Sequence, residues 1–186
     1  MRRLTVFNSV SADGYFTDAN DDMSWAHKND PEFNDFTAGN AKGNGTLLFG
    51  RVTFEMMKAF WPTAEAAKAF PDVAKGMNDA PKVVFSKTMD RASWQNTTLV
   101  KTDPIAAVTK MKREKGSDMV LMGSGTIVAL LAPTGLIDEY QLIVNPLMLG
   151  SGRTLFEGVE KRLPMKLVNE RRFKNGNVLL CYQPAG

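Results

Sequence analysis

The stretch DMVLMGSGT, residues Asp118–Thr126, contains the strongest indication of how the chain folds. Apolar residues from Met119 to Met122 predict a buried strand, and Gly123-Ser124-Gly125-Thr126 follows it as a turn. An apolar, helix-compatible run then extends from Ile127 to Ala132. Glycines let a backbone approach a ligand closely, and free N–H groups at a helix start attract anions. We therefore expect Gly123, Ser124, Gly125 and Thr126 to contact a dinucleotide pyrophosphate.

Two common phosphate-binding motifs do not fit this stretch. A dinucleotide-binding fingerprint of the Rossmann type needs a third glycine where Val128 stands, and it belongs to a first strand–helix unit rather than a late one. A P-loop needs Gly-Lys-Ser or Gly-Lys-Thr, which does not follow Gly125. The phosphate site is therefore expected in a different fold.

Composition narrows the class of protein. The 186 residues are 44% hydrophobic and 23% charged, which suits one domain spanning residues 1–186. The net charge of +3 is spread along the chain without a basic stripe, so we expect no nucleic-acid partner. No apolar run approaches the roughly 20 residues of a membrane span, and Met1-Arg2-Arg3 does not begin a signal peptide. We expect a cytoplasmic protein without a membrane partner.

The single cysteine, Cys181, and the single histidine, His27, carry little chemistry by themselves. One cysteine cannot form an internal disulfide, which favours a reducing compartment. One cysteine and one histidine cannot build a typical zinc site, so no bound metal is expected.

Strand and helix patterns alternate along most of the chain. The predicted strands are Leu4–Val10, Thr46–Phe49, Lys82–Ser86, Thr97–Val100, Asp118–Gly123 and Glu139–Val144, the last extended past Pro146 by Leu147–Leu149. The predicted helices begin after Asp30, at Arg51, and after Asp103-Pro104, while Thr63–Asn78 is expected to form surface helical pieces and Tyr15–Asp22 a surface loop. Asn175-Gly176 predicts a closing hairpin of Pro164–Phe173 with Asn177–Gln183. The fold class is α/β, with a mostly parallel sheet and an antiparallel C-terminal edge hairpin.

Two further polar segments follow predicted strands. Gly50 permits a tight turn, Arg51 offers a planar fork for a phosphate monoester, and Thr53 can bond a phosphate or the helix end. A solvated helix start is the alternative for this segment. Ser86-Lys87-Thr88 follows the third strand, where a plain polar turn is the alternative. In a parallel sheet these ends share one edge, which is where open α/β sheets bind ligands.

These motifs, in this order, resemble one known family. The matching stretches are Ser9–Tyr15, Leu48–Glu55, Lys82–Lys87, Met122–Thr126, Leu136–Pro146, Leu149–Arg153 and Leu155-Phe156. Together they resemble the dihydrofolate-reductase-like family with its three-layer fold, closest to the RibD C-terminal domain, the reductase of riboflavin biosynthesis, and its stand-alone bacterial relatives. The resemblance implies an NADPH-dependent reductase. By that resemblance Gly50, Arg51 and Thr53 hold the adenosine side with its 2′-phosphate, and Ser86, Lys87 and Thr88 flank the adenine.

The substrate side is less sharply marked. Asp13 is the acid that the riboflavin-type motif keeps, and we expect it to bind or protonate a substrate nitrogen, unless it is a turn aspartate bonded to its own backbone. Trp25 and Arg153 are candidate substrate contacts, although Arg153 also suits a structural turn or a subunit contact. None of Asp30, Glu32 and Asp35 fits the family spacing from both Trp25 and Gly50, which puts reduction of dihydrofolate itself in doubt.

The expected reaction is transfer of hydride from NADPH to a C=N or C=O bond of a small molecule, and we expect a pyrimidine- or pterin-like heterocycle. A non-catalytic NADPH-binding or regulatory module is the alternative function. The long apolar stretch Tyr140–Leu149 and the family resemblance together predict a homodimer.

Overall fold

A computed structural model describes residues 1–26, 30–41, 43 and 45–185 of the chain; His27, for which no chemistry was expected, lies outside these residues. The described strands are β1 (Leu4–Ser11), β2 (Tyr15–Thr17), β3 (Thr46–Gly50), β4 (Lys82–Phe85), β5 (Thr97–Val100), β6 (Met119–Met122), β7 (Glu139–Asn145), β8 (Arg153–Thr154), β9 (Met165–Arg172) and β10 (Val178–Pro184). Eight of them form one sheet in the order β5-β4-β3-β6-β1-β7-β10-β9, and β2 pairs with β8 in a separate ribbon.

The α-helices alternate with the strands of the large sheet. They are α1 (Pro31–Ala41), α2 (Arg51–Phe60), α3 (Ala64–Ala69), α4 (Pro71–Asp79), α5 (Pro104–Arg113) and α6 (Gly125–Leu131), with 3-10 turns at Ser24–Ala26 and Ala132–Thr134. The start of α5 illustrates how sequence sets these limits. The Asp103 carboxylate accepts hydrogen bonds from the N–H groups of Ile105 and Ala106, and Pro104 occupies the first turn.

The strand directions confirm the predicted fold class. Strands β5, β4, β3, β6, β1 and β7 are parallel, whereas β10 runs antiparallel to both β7 and β9. In the register, Leu48 lies beside Leu121, so the strands β3 and β6 run side by side to the same edge of the sheet. That edge therefore receives both Gly50 and Gly123, the glycines that end these strands.

Hydrophobic cores cover both faces of the sheet. On one face Leu4, Val6 and Leu121 pack with residues of α5 and α6. On the other face Phe49 and Phe54 pack against Trp94. Burial of these side chains on both faces explains why the central strands read as continuous apolar runs. Ala66, Ala74 and Met77 of α3 and α4 are also buried, so these helices are less superficial than their alanine-rich sequence indicates.

Two sequence predictions were wrong at their boundaries. The expected loop Tyr15–Asp22 begins with β2, and Phe16 and Thr17 are buried because β2 pairs with β8. Strand β7 ends at Asn145 and does not continue past Pro146, a residue that lacks the N–H group a ladder requires.

The structure also bears on the stretch expected to form a dimer contact. Strand β7 lies between β1 and β10, and Tyr140, Ile143 and Asn145 are buried within the protein, whereas Met148, after the strand, is exposed. Exposed apolar side chains also occur on the outer strand β9, at Met165, Leu167 and Val168, and the homodimer stays a prediction. In the described part of the chain, every helix is too short or too polar to cross a membrane.

Candidate cofactor groove

Two of the three predicted cofactor segments dock directly on each other. The N–H group of Gly50, at the end of β3, donates to Ser124 Oγ at 2.6 Å. The Ser124 hydroxyl in turn donates to Thr53 Oγ1, in the first turn of α2, at 3.1 Å. These two bonds join the β3–α2 turn to the β6–α6 turn. In the chain, Ser124 is 74 residues from Gly50 and 71 residues from Thr53.

The close docking explains why glycines stand here. A Cβ atom at Gly50 would lie 2.5 Å from Ser124 Oγ, and one at Gly123 would lie 2.8 Å from Thr53 Cγ2. Gly123 also has a φ of +62°, and Ser124 has the same left-handed φ although it is not glycine. From the sequence, these glycines were interpreted as making room for a ligand. In the structure, contact between the two turns already requires glycine at positions 50 and 123.

Gly125, the first residue of α6, is covered by the β2–β8 ribbon. A Cβ atom at this position would lie 3.0 Å from Phe16 Cε1 and 3.3 Å from the carbonyl oxygen of Thr154. Gly125 is buried, whereas Thr126 is exposed. Phe16 therefore occupies the space next to Gly125 into which a ligand was predicted to approach. The more accessible polar side chains of this turn are those of Ser124 and Thr126.

A groove of about 260 Å³ runs along the docked turns and opens to solvent. Six of the ten predicted cofactor residues line it, namely Gly50, Arg51, Thr53, Ser124, Gly125 and Thr126. The other lining residues are Phe16, Thr17, Asp21, Met23, Val52, Met56, Phe85, Ile127 and Arg153. The groove thus combines apolar walls with hydroxyl groups and two guanidinium groups, a composition suited to a flat, anionic ligand.

Both arginines of the groove have exchangeable acidic partners. Arg51 Nη1 bonds Glu55 Oε2 at 3.0 Å across one turn of α2, and both side chains are about half exposed. Arg153 Nη1 lies 3.5 Å from Asp21 Oδ1, and its guanidinium sits 5.8 Å from the centre of the Phe16 ring. Exposed ion pairs of this kind are weak, so a ligand phosphate can compete for either arginine.

The third predicted cofactor segment, Ser86-Lys87-Thr88, does not line the groove. Ser86 Oγ accepts hydrogen bonds from the N–H groups of Thr88 and Met89, which closes a local turn. Lys87 and Thr88 are exposed beyond that turn, and only Phe85 from the end of β4 lines the groove. Ser86, Lys87 and Thr88 are therefore not among the groove residues, and their contact with the adenine stays a prediction.

Asp13 has a structural environment rather than that of a proton donor. Its carboxylate accepts a hydrogen bond from Ser11 Oγ at 2.6 Å and from the N–H groups of Leu149 and Gly150, the latter at 2.7 Å. These hydrogen bonds, led by that of Ser11, lower the pKa of Asp13 to about 2. The group is ionised at neutral pH, which disfavours protonation of a substrate by Asp13, and its binding of a substrate nitrogen stays a prediction.

The two predicted substrate contacts lie in different places. Trp25 is half-buried in the 3-10 turn, and its indole N–H donates to the carbonyl oxygen of Asp22 at 3.1 Å. It does not line the groove. Arg153, in contrast, shares the groove with Arg51 and Thr126, on the side that sequence reasoning assigned to the cofactor.

The sequence did not identify four residues that line the groove, namely Phe16, Thr17, Met23 and Met56. Thr17 is buried, and within the described structure its Oγ1 atom has no hydrogen-bond partner. The run Tyr15-Phe16-Thr17 has the aromatic and β-branched residues of a strand, a signal that could have identified the strand but not its distant partner β8. Among the described residues, no group of three or more His, Cys, Asp or Glu side chains could hold a metal ion.

Comparison with known proteins agrees with this architecture. A family model described as the RibD C-terminal domain matches residues 2–179. The uncharacterized protein YyaP of Bacillus subtilis strain 168 is 30% identical over 183 residues, which cover 97% of this chain and 94% of YyaP. A solved protein of Shewanella sp. PV-4, with a name that refers to riboflavin biosynthesis, has 22% identity and a TM-score of 0.78, with 99% of both chains covered. Dihydrofolate reductase from Enterococcus faecalis, solved with NADP(H), has 15% identity and a TM-score of 0.62, covering 99% of this chain and 97% of that one.

Proposed function

The chain belongs to the RibD C-terminal domain family, and on this basis we propose that it is an NADPH-dependent reductase. The proposed reaction is hydride transfer to a C=N or C=O bond of a small heterocyclic molecule of the pyrimidine or pterin type. The observation that carries the proposal is the groove in which Arg51, Arg153 and the hydroxyl of Thr126 accompany the docked turns. Family membership supports the reductase chemistry, and the charge and shape of the groove support an anionic dinucleotide.

The chain would contribute binding and orientation. Arg51 would exchange its bond to Glu55 for the 2′-phosphate, because a bidentate guanidinium–phosphate pair is stronger than an exposed pair with a carboxylate. Ser124, held by Gly50 and Thr53, would fix the distance between the two turns on which the dinucleotide lies. When bound, NADPH would supply the hydride.

A proton must also reach the reduced heteroatom. Asp13 is ionised and engaged by backbone N–H groups, and Asp30 is buried with its oxygens bonded to the N–H groups of Phe33 and Asn175. Among the described residues that line the groove, the one acid is Asp21, which pairs with Arg153. We therefore propose that the proton comes from water.

Titration with NADPH and NADH tests the cofactor assignment. The wild-type protein should prefer NADPH, and Arg51→Ala should weaken NADPH binding by about 10- to 100-fold, about 1.4–2.8 kcal/mol, while NADH binding stays unchanged. Lys58→Ala is the matched control, because Lys58 is an exposed cation at the other end of α2, outside the groove. A wild-type preference for NADH, or equal losses for both variants, would remove the role given to Arg51.

Turnover tests the catalytic part of the proposal. Oxidation of NADPH should be detected with at least one compound of a panel of pyrimidines, pterins and simple carbonyls. Tight NADPH binding with no turnover across the panel would favour the alternative, a non-catalytic NADPH-binding module. We also propose a homodimer; sedimentation that gives only a 20.5 kDa species at micromolar concentration would contradict it.

A further inference from the structure

The β2–β8 ribbon brings one hydroxyl and one guanidinium to the same place. Thr17 and Arg153 are directly opposite each other in this antiparallel pair, and both line the groove. Side chains of directly opposed residues project from the same face of a ribbon. The two polar groups are therefore neighbours although they are 136 residues apart in the chain.

The ribbon holds this pair firmly. Gly152, just before Arg153, has a φ of +141°, and a Cβ atom there would overlap the carbonyl oxygen of Thr17. Next to the ribbon, the Asp13 carboxylate ties the turn after β1 to the N–H groups of Leu149 and Gly150. The backbone positions of Thr17 and Arg153 are thus fixed before any ligand arrives.

The Thr17 hydroxyl has an unfilled hydrogen bond. The residue is 5% exposed, and its Oγ1 atom is fully buried with no partner in the described structure. Burying a hydroxyl without a partner is unfavourable, and such groups in native proteins usually have a ligand or functional reason. Rotation of the Thr17 side chain towards the groove would let its hydroxyl donate this hydrogen bond to a ligand oxygen.

Arg153 has donors to spare. A guanidinium carries five N–H donors, and the contacts of this one are Asp21 at 3.5 Å and the face of Phe16. The Asp21 backbone is in the left-handed region, with a φ of 60°, and its side chain is 64% exposed. Because that pair is long and exposed, an incoming anion can replace Asp21 at little cost.

We propose that Thr17 and Arg153 form a phosphate-binding pair that contacts the pyrophosphate of the dinucleotide, with Asp21 as the carboxylate that the phosphate displaces. The assignment of the dinucleotide rests on the function proposed above. Arg51 lies at the β3–α2 turn and Arg153 on the ribbon, so the groove offers two separate cations. The 2′-phosphate and the pyrophosphate are two separate anions. Thr126, which lines the groove together with Arg153, supplies a further hydroxyl for the pyrophosphate.

Binding of NADPH and NADH to Arg153→Met and Thr17→Val tests the pair. Both dinucleotides carry the pyrophosphate, so a given variant should weaken the binding of NADPH and of NADH by the same factor. For Arg153→Met we expect a factor of about ten or more. Asp21→Asn should tighten both severalfold, because it removes the competing carboxylate. Thr17→Val keeps the side-chain shape and removes an unbonded hydroxyl, so its melting temperature should not fall. Arg162→Met, an exposed cation outside the groove, is the control and should change nothing.

Inorganic pyrophosphate and ribose 5-phosphate separate the sources of phosphate. Pyrophosphate should compete with NADH in the wild-type protein and lose that effect in Arg153→Met. Unchanged dinucleotide affinity in Arg153→Met would overturn the proposal, including the case in which only ribose 5-phosphate binding is lost, since Arg153 would then serve a substrate phosphate. If the wild type binds neither dinucleotide but binds pyrophosphate through Arg153, the proposed function fails and the phosphate pair stands. Binding of none of these probes would overturn both.

Discussion

Replacing Gly50 by alanine should destabilise the protein, and replacing Ser124 by glycine should largely remove that effect. The new Cβ atom would lie 2.5 Å from Ser124 Oγ and 3.0 Å from Ser124 Cβ, so one turn must move. Overpacking of this kind costs about 1–3 kcal/mol. Displacement of the Gly50 N–H from Ser124 Oγ adds the net value of one hydrogen bond, about 1 kcal/mol.

The backbone of Gly50 itself tolerates alanine, since its φ of −82° and ψ of 169° are ordinary extended values. In the Ser124→Gly background the two closest atoms are gone, and the nearest remaining one is Ile127 Cγ1 at 3.4 Å. The hydrogen bond to the hydroxyl is also already lost there. Gly50→Ala should then be nearly neutral, so the double variant should be more stable than the sum of the two single effects predicts, by about 2–4 kcal/mol.

Urea unfolding followed by tryptophan fluorescence would measure these energies, because Trp94 is buried in the core. A protein of this size should lose about 2–4 °C in melting temperature for each 1 kcal/mol. Gly45→Ala is the control: its Cβ would lie 3.3 Å from the carbonyl oxygen of Asp118, at the opposite end of β3. Its cost should be the same in both backgrounds. Equal destabilisation by Gly50→Ala with and without the Ser124 side chain would refute the docking of the two turns as the reason for the glycine.

Three further predictions concern titratable groups. Hydrogen bonds lower the pKa of Asp13 from 3.8 to about 2, so its stabilising effect is present above pH 4 and lost as the pH falls towards 2; thermal melts of Asp13→Asn and wild type should converge over that range. Burial lowers the pKa of Lys82 from 10.5 to about 8, so between pH 8 and 10.5 the unfolded chain binds more protons and the stability of the fold rises with pH. The Lys82→Met variant should lack this rise. A wild-type protein without it would contradict the burial of the ammonium group. Burial also raises the pKa of the Cys181 thiol, so an aromatic disulfide reagent should label it only after unfolding, and labelling of the folded protein at the unfolded rate would contradict that position.

Local signals in the sequence predicted most of the secondary structure. The capping pair Asp103-Pro104 fixed the start of α5, and Asn175-Gly176 identified the hairpin of β9 and β10, because each acts on neighbouring backbone groups. The same locality explains the failures. Strand β2 is only three residues long, and its partner β8 lies 136 residues away for the pair Thr17 and Arg153, so no periodic pattern could reveal it.

The candidate groove was only partly foreseen. Glycine and hydroxyl residues after strands β3 and β6 were recognisable, because parallel strands bring their carboxyl ends to one edge. Ser86 follows a neighbouring strand by the same rule, yet its hydroxyl closes a local turn with Thr88 and Met89. Which strand ends face a ligand depends on where each side chain finds its hydrogen bonds.

For DMVLMGSGT itself, the sequence determined a buried strand, a glycine turn and a short helix, since apolar pattern and backbone freedom are properties of the stretch alone. Only the tertiary structure decided why its glycines are there. Ser124 meets Gly50 and Thr53 across the sheet edge, and Phe16 lies against Gly125. Those partners come from distant parts of the chain, and close packing between them is a property of the assembled fold rather than of any segment.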